Sequence, residues 1–299
     1  MHLHEAARRP KYYTPLIAEK NRLITSQGAT DFDWLAGHSI ESRTADGFKQ
    51  YLRHAPLDAQ QAVDWRKSLA ELPPKAPLEV KVHHHLRYEI LDAIVCLYRE
   101  NAIGESAKLL PDENWPPRLV SAFEQADLNA ALRRINRQYD QVVEAFKIDG
   151  YEQQIRAMQA LADDQMVDAD WILRQIGAAD DKRHAAVEAF AVWVFGMMRR
   201  PLGAKLAAAT RSNQQVVLID TGLALAAYHG EQGRIPETLA DLVPQYWPDV
   251  PRDLFSGKEL IYRPTAKGYL LYSVGRNLKD DGGQERLPNG DDIVLKIER

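Results

Sequence analysis

The sequence predicts a mainly helical protein that ends in a small α+β module. Before residue 200, long stretches repeat apolar residues at spacings of three and four, the period of an amphipathic helix. Near the C-terminus, three short runs rich in Tyr, Ile, Leu and Val have the composition of strands. The change in character falls near Pro201, so we predict a helical region over 1–200 and an α+β module over 201–299.

Proline clusters and apolar stripes divide the first two hundred residues into helices. The predicted helices are Asp58–Leu72, His84–Asn101, a segment that follows Asp127, Glu152–Ala162, Asp168–Ile176 and Asp181–Arg199. The clearest stripe alternates spacings of four and three and consists of Leu128, Leu132, Ile135, Tyr139, Val142 and Phe146. Asp127 is placed to cap this helix, and Asp149–Gly150 to end it. Without any strand pattern, the region reads as a helical bundle or array.

Composition and charge narrow the classes of function. The net charge of -4 provides no basic surplus to neutralise phosphates, so no nucleic-acid partner is expected. The first ten residues lack an apolar core, so no secretory signal is predicted. The apolar run Ala185–Met198 falls short of the roughly 20 residues that span a bilayer, and a buried core helix is predicted there instead. The single cysteine, Cys96, lies between apolar neighbours and is predicted to be a buried thiol.

The C-terminal module is predicted to contain a long helix followed by an antiparallel sheet. Leu202–His229 is rich in Ala and Leu and predicts the long helix, and Pro236–Val243 predicts a short one. The predicted strands are Leu260–Arg263, Tyr269–Ser273 and Ile293–Ile297. The first two are expected to form a hairpin with a loop of about five residues, Pro264–Gly268.

An acidic, glycine-rich loop between the last two strands predicts a calcium site. The predicted ligands are the carboxylates of four aspartates together with oxygens of two neutral residues: Asp280, Asp281, Asp291, Asp292, Asn277 and Ser273. Several oxygen ligands and a backbone able to fold around the ion suit this hard cation. The spacing does not follow the EF-hand pattern, so the site would be irregular. The alternatives are a solvated acidic turn without metal and two-metal phosphoryl chemistry, which requires carboxylates from several elements.

The order of these motifs resembles the C-terminal globular domain of the major pseudopilins of type II secretion systems. The resemblance covers about Leu202 to Ile297 and rests on GRIPETLADLV, VPRDLFSGKELIYR, GYLLYSVG, the acidic loop and DDIV. It implies a long helix packed on a small sheet and calcium in the acidic loop. Pseudopilins begin with a basic leader and a very hydrophobic helix that bears a glutamate, and this chain has neither. The resemblance therefore implies the module and not filament assembly.

The helical region contributes a second resemblance but no activity. The segment LRRINRQYD, residues 132–140, is similar to uncharacterised bacterial proteins that join a helical region to such a module. Nucleophile-elbow, P-loop and dinucleotide-binding motifs are missing from the sequence. His83, His84 and His85 point about 100° apart on a helix, so they cannot converge on one zinc ion. We therefore expect no catalytic residues.

Three interpretations of function remain. The first is a non-catalytic, extracytoplasmic or envelope-associated protein, with a calcium-stabilised module and a helical region that binds a protein partner. The second is a hydrolase with its site between the helical region and the sheet, using carboxylates such as Asp140, Glu144 or Asp170. The third is a cytoplasmic interaction protein with a metal-free acidic turn. The first is preferred, because millimolar calcium outside the cytoplasm would fill a modest site.

Overall fold

The structure of the protein, a computed structural model, is mainly helical and ends in a three-stranded antiparallel sheet, which confirms the predicted fold class. It describes residues 44–54, 57–71, 77–99, 121, 123, 127–161, 169–285 and 290–298. The helices are α1 (44–54), α2 (Ala59–Ala70), α3 (Leu78–Lys81), α4 (Arg87–Arg99), α5 (Leu128–Phe146), α6 (Tyr151–Ala160), α7 (Ala169–Ala178) and α8 (Lys182–Gln232). The strands are β1 (Ile261–Thr265), β2 (Gly268–Ser273) and β3 (Ile293–Glu298).

The described residues fall into two compact units. The sheet unit contains 44–71, 150–152 and 206–298, and the helical unit contains 77–149 and 153–205. Helix α8 contributes residues to both units. Three segments that are distant in sequence therefore build the sheet unit. Compact units and domains need not coincide, and the predicted division at residue 200 stays a prediction.

Helix α5 of the helical unit forms as its apolar stripe predicts. Asp127 caps its first turn, where the carboxylate accepts the N–H groups of Asn129 at 2.9 Å and Ala130 at 3.2 Å. The buried stripe residues are Ile135, Tyr139, Val142 and Phe146. The helix ends at Phe146, a few residues before the predicted stop.

Other predicted helices are present with shifted bounds. Helices α2, α6 and α7 begin and end within two residues of the predicted limits. The helix predicted at His84–Asn101 starts earlier, because α3 and a π-helical turn, Val82–Leu86, precede α4. Helix α1 was not predicted.

The prediction that Cys96 is buried is wrong. Its side chain is exposed, whereas Ile94 on the same helix is buried. Residues two apart on a helix point about 200° apart, so the buried face that contains Ile94 excludes Cys96. An apolar run in a helix does not place every member of the run in the core.

The predicted break at Pro201 is also wrong. The segments predicted as separate helices, Asp181–Arg199 and Leu202–His229, form the single helix α8. A proline in a helix interior costs about 3 kcal/mol. Apolar residues buried on both sides, among them Phe190 and Leu206, offset that cost. Within the described helices, none combines the length and hydropathy that a bilayer-spanning segment needs.

The sheet has the order β1-β2-β3, with β2 at its centre. Pro264 pairs with Tyr269, and Thr265 pairs with Gly268. The predicted five-residue loop is therefore wrong, and a two-residue turn of Ala266 and Lys267 joins β1 to β2. Pro264 is tolerated in the ladder because β1 is an edge strand.

The two faces of the sheet have different neighbours. Tyr269 lies on the α8 face, where its hydroxyl donates to the Gly222 carbonyl at 3.5 Å. Leu295 packs on the same face so closely that a Cβ added to Gly222 would lie 2.5 Å from it. Leu270 and Tyr272 point to the opposite face, because side chains alternate along a strand. The candidate functional residues divide between these two faces.

Replacing Asp127 by alanine should destabilise the helical unit by about 1 kcal/mol, because two N–H groups of the first turn of α5 lose their acceptor. Urea unfolding followed by circular dichroism measures the change. Asp127→Asn is the matched control and should retain most of the stability, since its amide oxygen can still cap the helix. Equal losses in both variants would contradict the role of Asp127 as a cap.

Candidate functional site: the acidic loop

The acidic loop, residues 274–292, joins β2 to β3, and its described residues, 274–285 and 290–292, cover the sheet face opposite α8. Tyr272 points to that face and donates its hydroxyl to Asp280 at 2.8 Å. A Cβ added to Gly283 would lie 3.3 Å from the Leu270 side chain. The loop therefore packs directly on the sheet.

Two glycines allow the loop backbone to close on itself. Gly275 has a φ of 67°, and a Cβ there would overlap the Asp291 carbonyl. A Cβ on Gly290 would lie 2.6 Å from both the Gln284 carbonyl oxygen and the Asp281 Cβ atom. These close approaches bring residues near 275–283 against residues 290–292.

Three predicted ligands form one hydrogen-bonded network. The Asn277 side-chain amide donates to Asp281 Oδ2 at 2.7 Å, and the Asn277 backbone N–H donates to Asp291 Oδ2 at 3.2 Å. The Asp291 backbone N–H also donates to Asp281 Oδ2 at 3.2 Å. The structure thus brings Asn277, Asp281 and Asp291 together through hydrogen bonds, and their role as metal ligands stays a prediction.

Asp292 is fully buried beside this network. Its Oδ2 accepts the Gly283 N–H at 2.7 Å, whereas its Oδ1 is buried without a hydrogen-bond partner. Burial raises the pKa of the Asp292 carboxyl. The N–H groups of Gly283 and Asp281 oppose that rise, and the charges of Asp281 and Asp280 add to it. Asp292 therefore lies where a negative charge is costly.

Asp291 has a similar unused oxygen. Its Oδ2 accepts the Asn277 N–H, but its Oδ1 is buried and has no partner. Two consecutive aspartates thus each have one buried carboxylate oxygen that accepts no hydrogen bond. Such oxygens cost free energy unless a donor or a cation meets them.

Asp280 is differently placed, at the exposed edge of the loop. The Tyr272 hydroxyl, the Gly282 N–H and the Arg263 guanidinium lower the pKa of its carboxyl. Two hydrogen-bond donors and the Arg263 guanidinium already stabilise the negative charge of Asp280. A bound cation would therefore stabilise Asp280 less than it would stabilise Asp292.

Ser273, the sixth predicted ligand, is directed elsewhere. It follows Tyr272 in β2 and so points to the α8 face, where its hydroxyl donates to Asp253 at 2.9 Å. The hydroxyl also accepts the Gly275 N–H at 3.2 Å. The alternation of side chains along β2 is the signal that places Ser273 away from Asp280.

Asp253 is an organising residue that the sequence reasoning missed. It is buried and accepts three hydrogen bonds, from the Phe255 N–H at 2.8 Å, the Ser273 hydroxyl at 2.9 Å and the Val274 N–H at 2.9 Å. The bond to Phe255 closes an Asx-turn, for which an aspartate two residues before the bonded N–H is the sequence signal. Asp253 thereby fixes the point at which the acidic loop leaves β2.

A buried lysine from α1 reaches the other end of the loop. The Lys49 ammonium lies 3.2 Å from Asp46 and 3.5 Å from Glu285. Glu285 in turn accepts the Val294 N–H at 3.2 Å. This cation balances Glu285 at the end of the loop, while the unused oxygens belong to Asp291 and Asp292.

The carboxylates suggested for a hydrolase have structural partners in the helical unit. Asp140 lies 2.7 Å from the buried Arg87 guanidinium, and Glu144 accepts the Lys147 ammonium at 2.6 Å. The side chain of Asp170 lies outside the described part of the chain. Over the described ranges, no three or more His, Cys, Asp or Glu side chains are arranged to share one metal ion.

No protein family, curated protein or solved structure matches the chain. The resemblance to pseudopilins therefore stays a prediction.

Replacing Asp253 by alanine should destabilise the sheet unit by about 3 kcal/mol, because three buried donors lose one shared acceptor. Urea unfolding provides the measurement. Asp249→Ala, at an exposed aspartate nearby, is the control and should change stability by less than about 0.5 kcal/mol. A similar small change in both variants would show that Asp253 does not organise this region.

Proposed function

We propose that this protein is a non-catalytic, envelope-associated or scaffold-type protein, whose C-terminal module is stabilised by calcium bound in the acidic loop. The observation that carries the proposal is the pair of buried, unpartnered carboxylate oxygens on Asp291 and Asp292. A cation beside Asp292 would satisfy its Oδ1 atom and relieve the repulsion that Asp281 and Asp280 exert on Asp292.

The donors in the loop favour calcium over other common metals. The predicted ligands of the acidic loop present only oxygen atoms to a metal ion. Oxygen ligands suit hard cations and disfavour zinc, whose protein sites use mostly His and Cys. Asp281, Asp291 and Asp292 do not share one point in the structure, so calcium binding would require their carboxylates to converge, with Asp281 giving up its bond to Asn277. Backbone carbonyls and water would complete the shell, as calcium tolerates an irregular set of six to eight ligands. Magnesium demands stricter octahedral geometry.

The calcium site also bears on where the protein acts. A modest calcium site fills at the millimolar concentrations found outside the cytoplasm, which supports an extracytoplasmic or envelope-associated role. The order of α8, the sheet and the acidic loop agrees with the module that the resemblance to pseudopilins implies. The helical unit is proposed to bind a protein partner.

Calcium should raise the unfolding temperature of the full chain. With calcium at 100 times its Kd, the folded state gains about 2.7 kcal/mol, which shifts the transition by several degrees. Differential scanning calorimetry with calcium, with magnesium and with chelator would measure the shift. Magnesium should give a clearly smaller shift at the same concentration.

Matched variants make this test specific. Asp291→Asn and Asp292→Asn should each abolish the calcium shift, because each removes a charged ligand. Asp249→Asn removes an exposed aspartate near the module and should leave the shift unchanged. A wild-type protein that unfolds cooperatively with no response to calcium would sink the proposal and leave a metal-free acidic turn.

Without metal, the raised pKa of Asp292 predicts a specific dependence of stability on pH. The folded state holds the Asp292 proton more tightly than the unfolded state does, so the free energy of unfolding falls as pH rises from the ordinary aspartate value through the raised one. Asp292→Asn should remove that fall and make the chelated protein more stable than wild type at pH 7.

Urea unfolding in chelator between pH 4 and pH 7 measures this difference. Asp280 contributes the opposite slope in both proteins, because its pKa is lowered, and its coupling to the Asp292 charge is part of the Asp292 effect. The difference between wild type and Asp292→Asn therefore isolates Asp292. Parallel pH profiles for the two proteins would show that the buried charge carries no penalty.

A further inference from the structure

The sheet unit contains a second candidate site, on the opposite side of the sheet from the acidic loop. A cavity of about 180 Å³ lies between α1, the C-terminal part of α8 and the β1–β2 turn. Its α8 wall repeats at helical spacing and consists of Gly222, Leu225, Ala226 and His229. Gly222 lacks a side chain, which lets Leu295 and Tyr269 approach α8 closely at this wall.

The walls of the cavity are mostly apolar. Leu52, Leu225, Ala226 and Ile297 contribute hydrocarbon surface from α1, α8 and β3. Transfer of an aliphatic group of a ligand from water to such an apolar surface is favourable. The Tyr269 hydroxyl is already committed to the Gly222 carbonyl.

Two basic side chains provide the remaining polar surface. Lys267 lies in the exposed β1–β2 turn, and His229 lies near the end of α8. The Nδ1 atom of His229 is buried and has no hydrogen-bond partner. No Asp or Glu is among the described residues that line the cavity. The polar part of a ligand must therefore suit a cation and a hydrogen-bonding imidazole.

We propose that this cavity binds a short aliphatic carboxylate. Its hydrocarbon part would lie against Leu225, Ala226 and Ile297, and its carboxylate would pair with the Lys267 ammonium and the His229 imidazole. Charge-assisted bonds of this kind are among the stronger hydrogen bonds in proteins. The volume limits the hydrocarbon part of the ligand to about six to nine carbon atoms, since an apolar cavity of about 150 Å³ holds one benzene.

Isothermal titration calorimetry of the full chain with sodium octanoate tests the proposal. Octan-1-ol is the matched ligand, because it has the same chain length and no charge. Octanoate should bind with a Kd below 1 mM, about tenfold more tightly than octanol. Absence of octanoate binding at 5 mM, or equal affinity for the two ligands, would overturn the proposal.

Substitutions in the cavity test which residues bind the carboxylate and which bind the hydrocarbon chain. Lys267→Gln and His229→Gln should each weaken octanoate binding by about tenfold and leave octanol binding nearly unchanged. Ala226→Leu should fill the cavity and weaken both ligands. Lys258→Gln, at an exposed lysine that does not line the cavity, should bind octanoate like wild type.

The exposed position of Lys267 keeps the test decisive. If Ala226→Leu fails to fold, as circular dichroism would reveal, Lys267→Gln still decides the outcome, because the turn tolerates a polar replacement. Octanoate binding that is unaffected by Lys267→Gln and His229→Gln would place the ligand elsewhere and refute the assignment.

Discussion

Strand β2 is buried on both faces, and this double burial sets the geometry of the sheet unit. On one face, Gly222 lets Leu295 of the neighbouring strand approach α8. On the other face, Tyr272 reaches Asp280 of the acidic loop. A shift of β2 by one residue would exchange the faces and place the tyrosine hydroxyl in the helix interface. Asp253 resists such a shift, because it holds both Ser273 and Val274.

Local patterns predicted much of this architecture, and tertiary packing decided the rest. The stripe and cap of α5 and the three strands follow from periodicity and composition, which local residues determine. The continuity of α8 through Pro201 depends instead on burial of the flanking segments, which no local rule for proline includes. Among the loop residues, composition identified the carboxylates. The direction of Ser273 required the strand alternation, and the three bonds of Asp253 required the fold.

The sheet separates two regions of opposite electrostatic character. Carboxylates dominate the acidic loop on one face, while Lys267 and His229 supply the polar surface of the cavity on the other. An anion in the cavity would therefore face no carboxylate among the described lining residues, and a cation in the loop would lie across the sheet from Lys267. The two proposed sites can thus be occupied independently, with the hydrophobic layer of the sheet between them.

The discontinuity of the sheet unit has a consequence for synthesis of the protein on the ribosome. Arg66 of α2 pairs with Asp220 of α8 at 2.6 Å, and Gly230 lies against Ala59. Residues 44–71 therefore emerge long before Asp220, Gly222 and Gly230, the α8 residues that lie against Arg66, Leu52 and Ala59. At about 5–20 residues per second, this delay lasts on the order of ten seconds or more. During that interval the early helices expose apolar surface that the folded sheet unit buries.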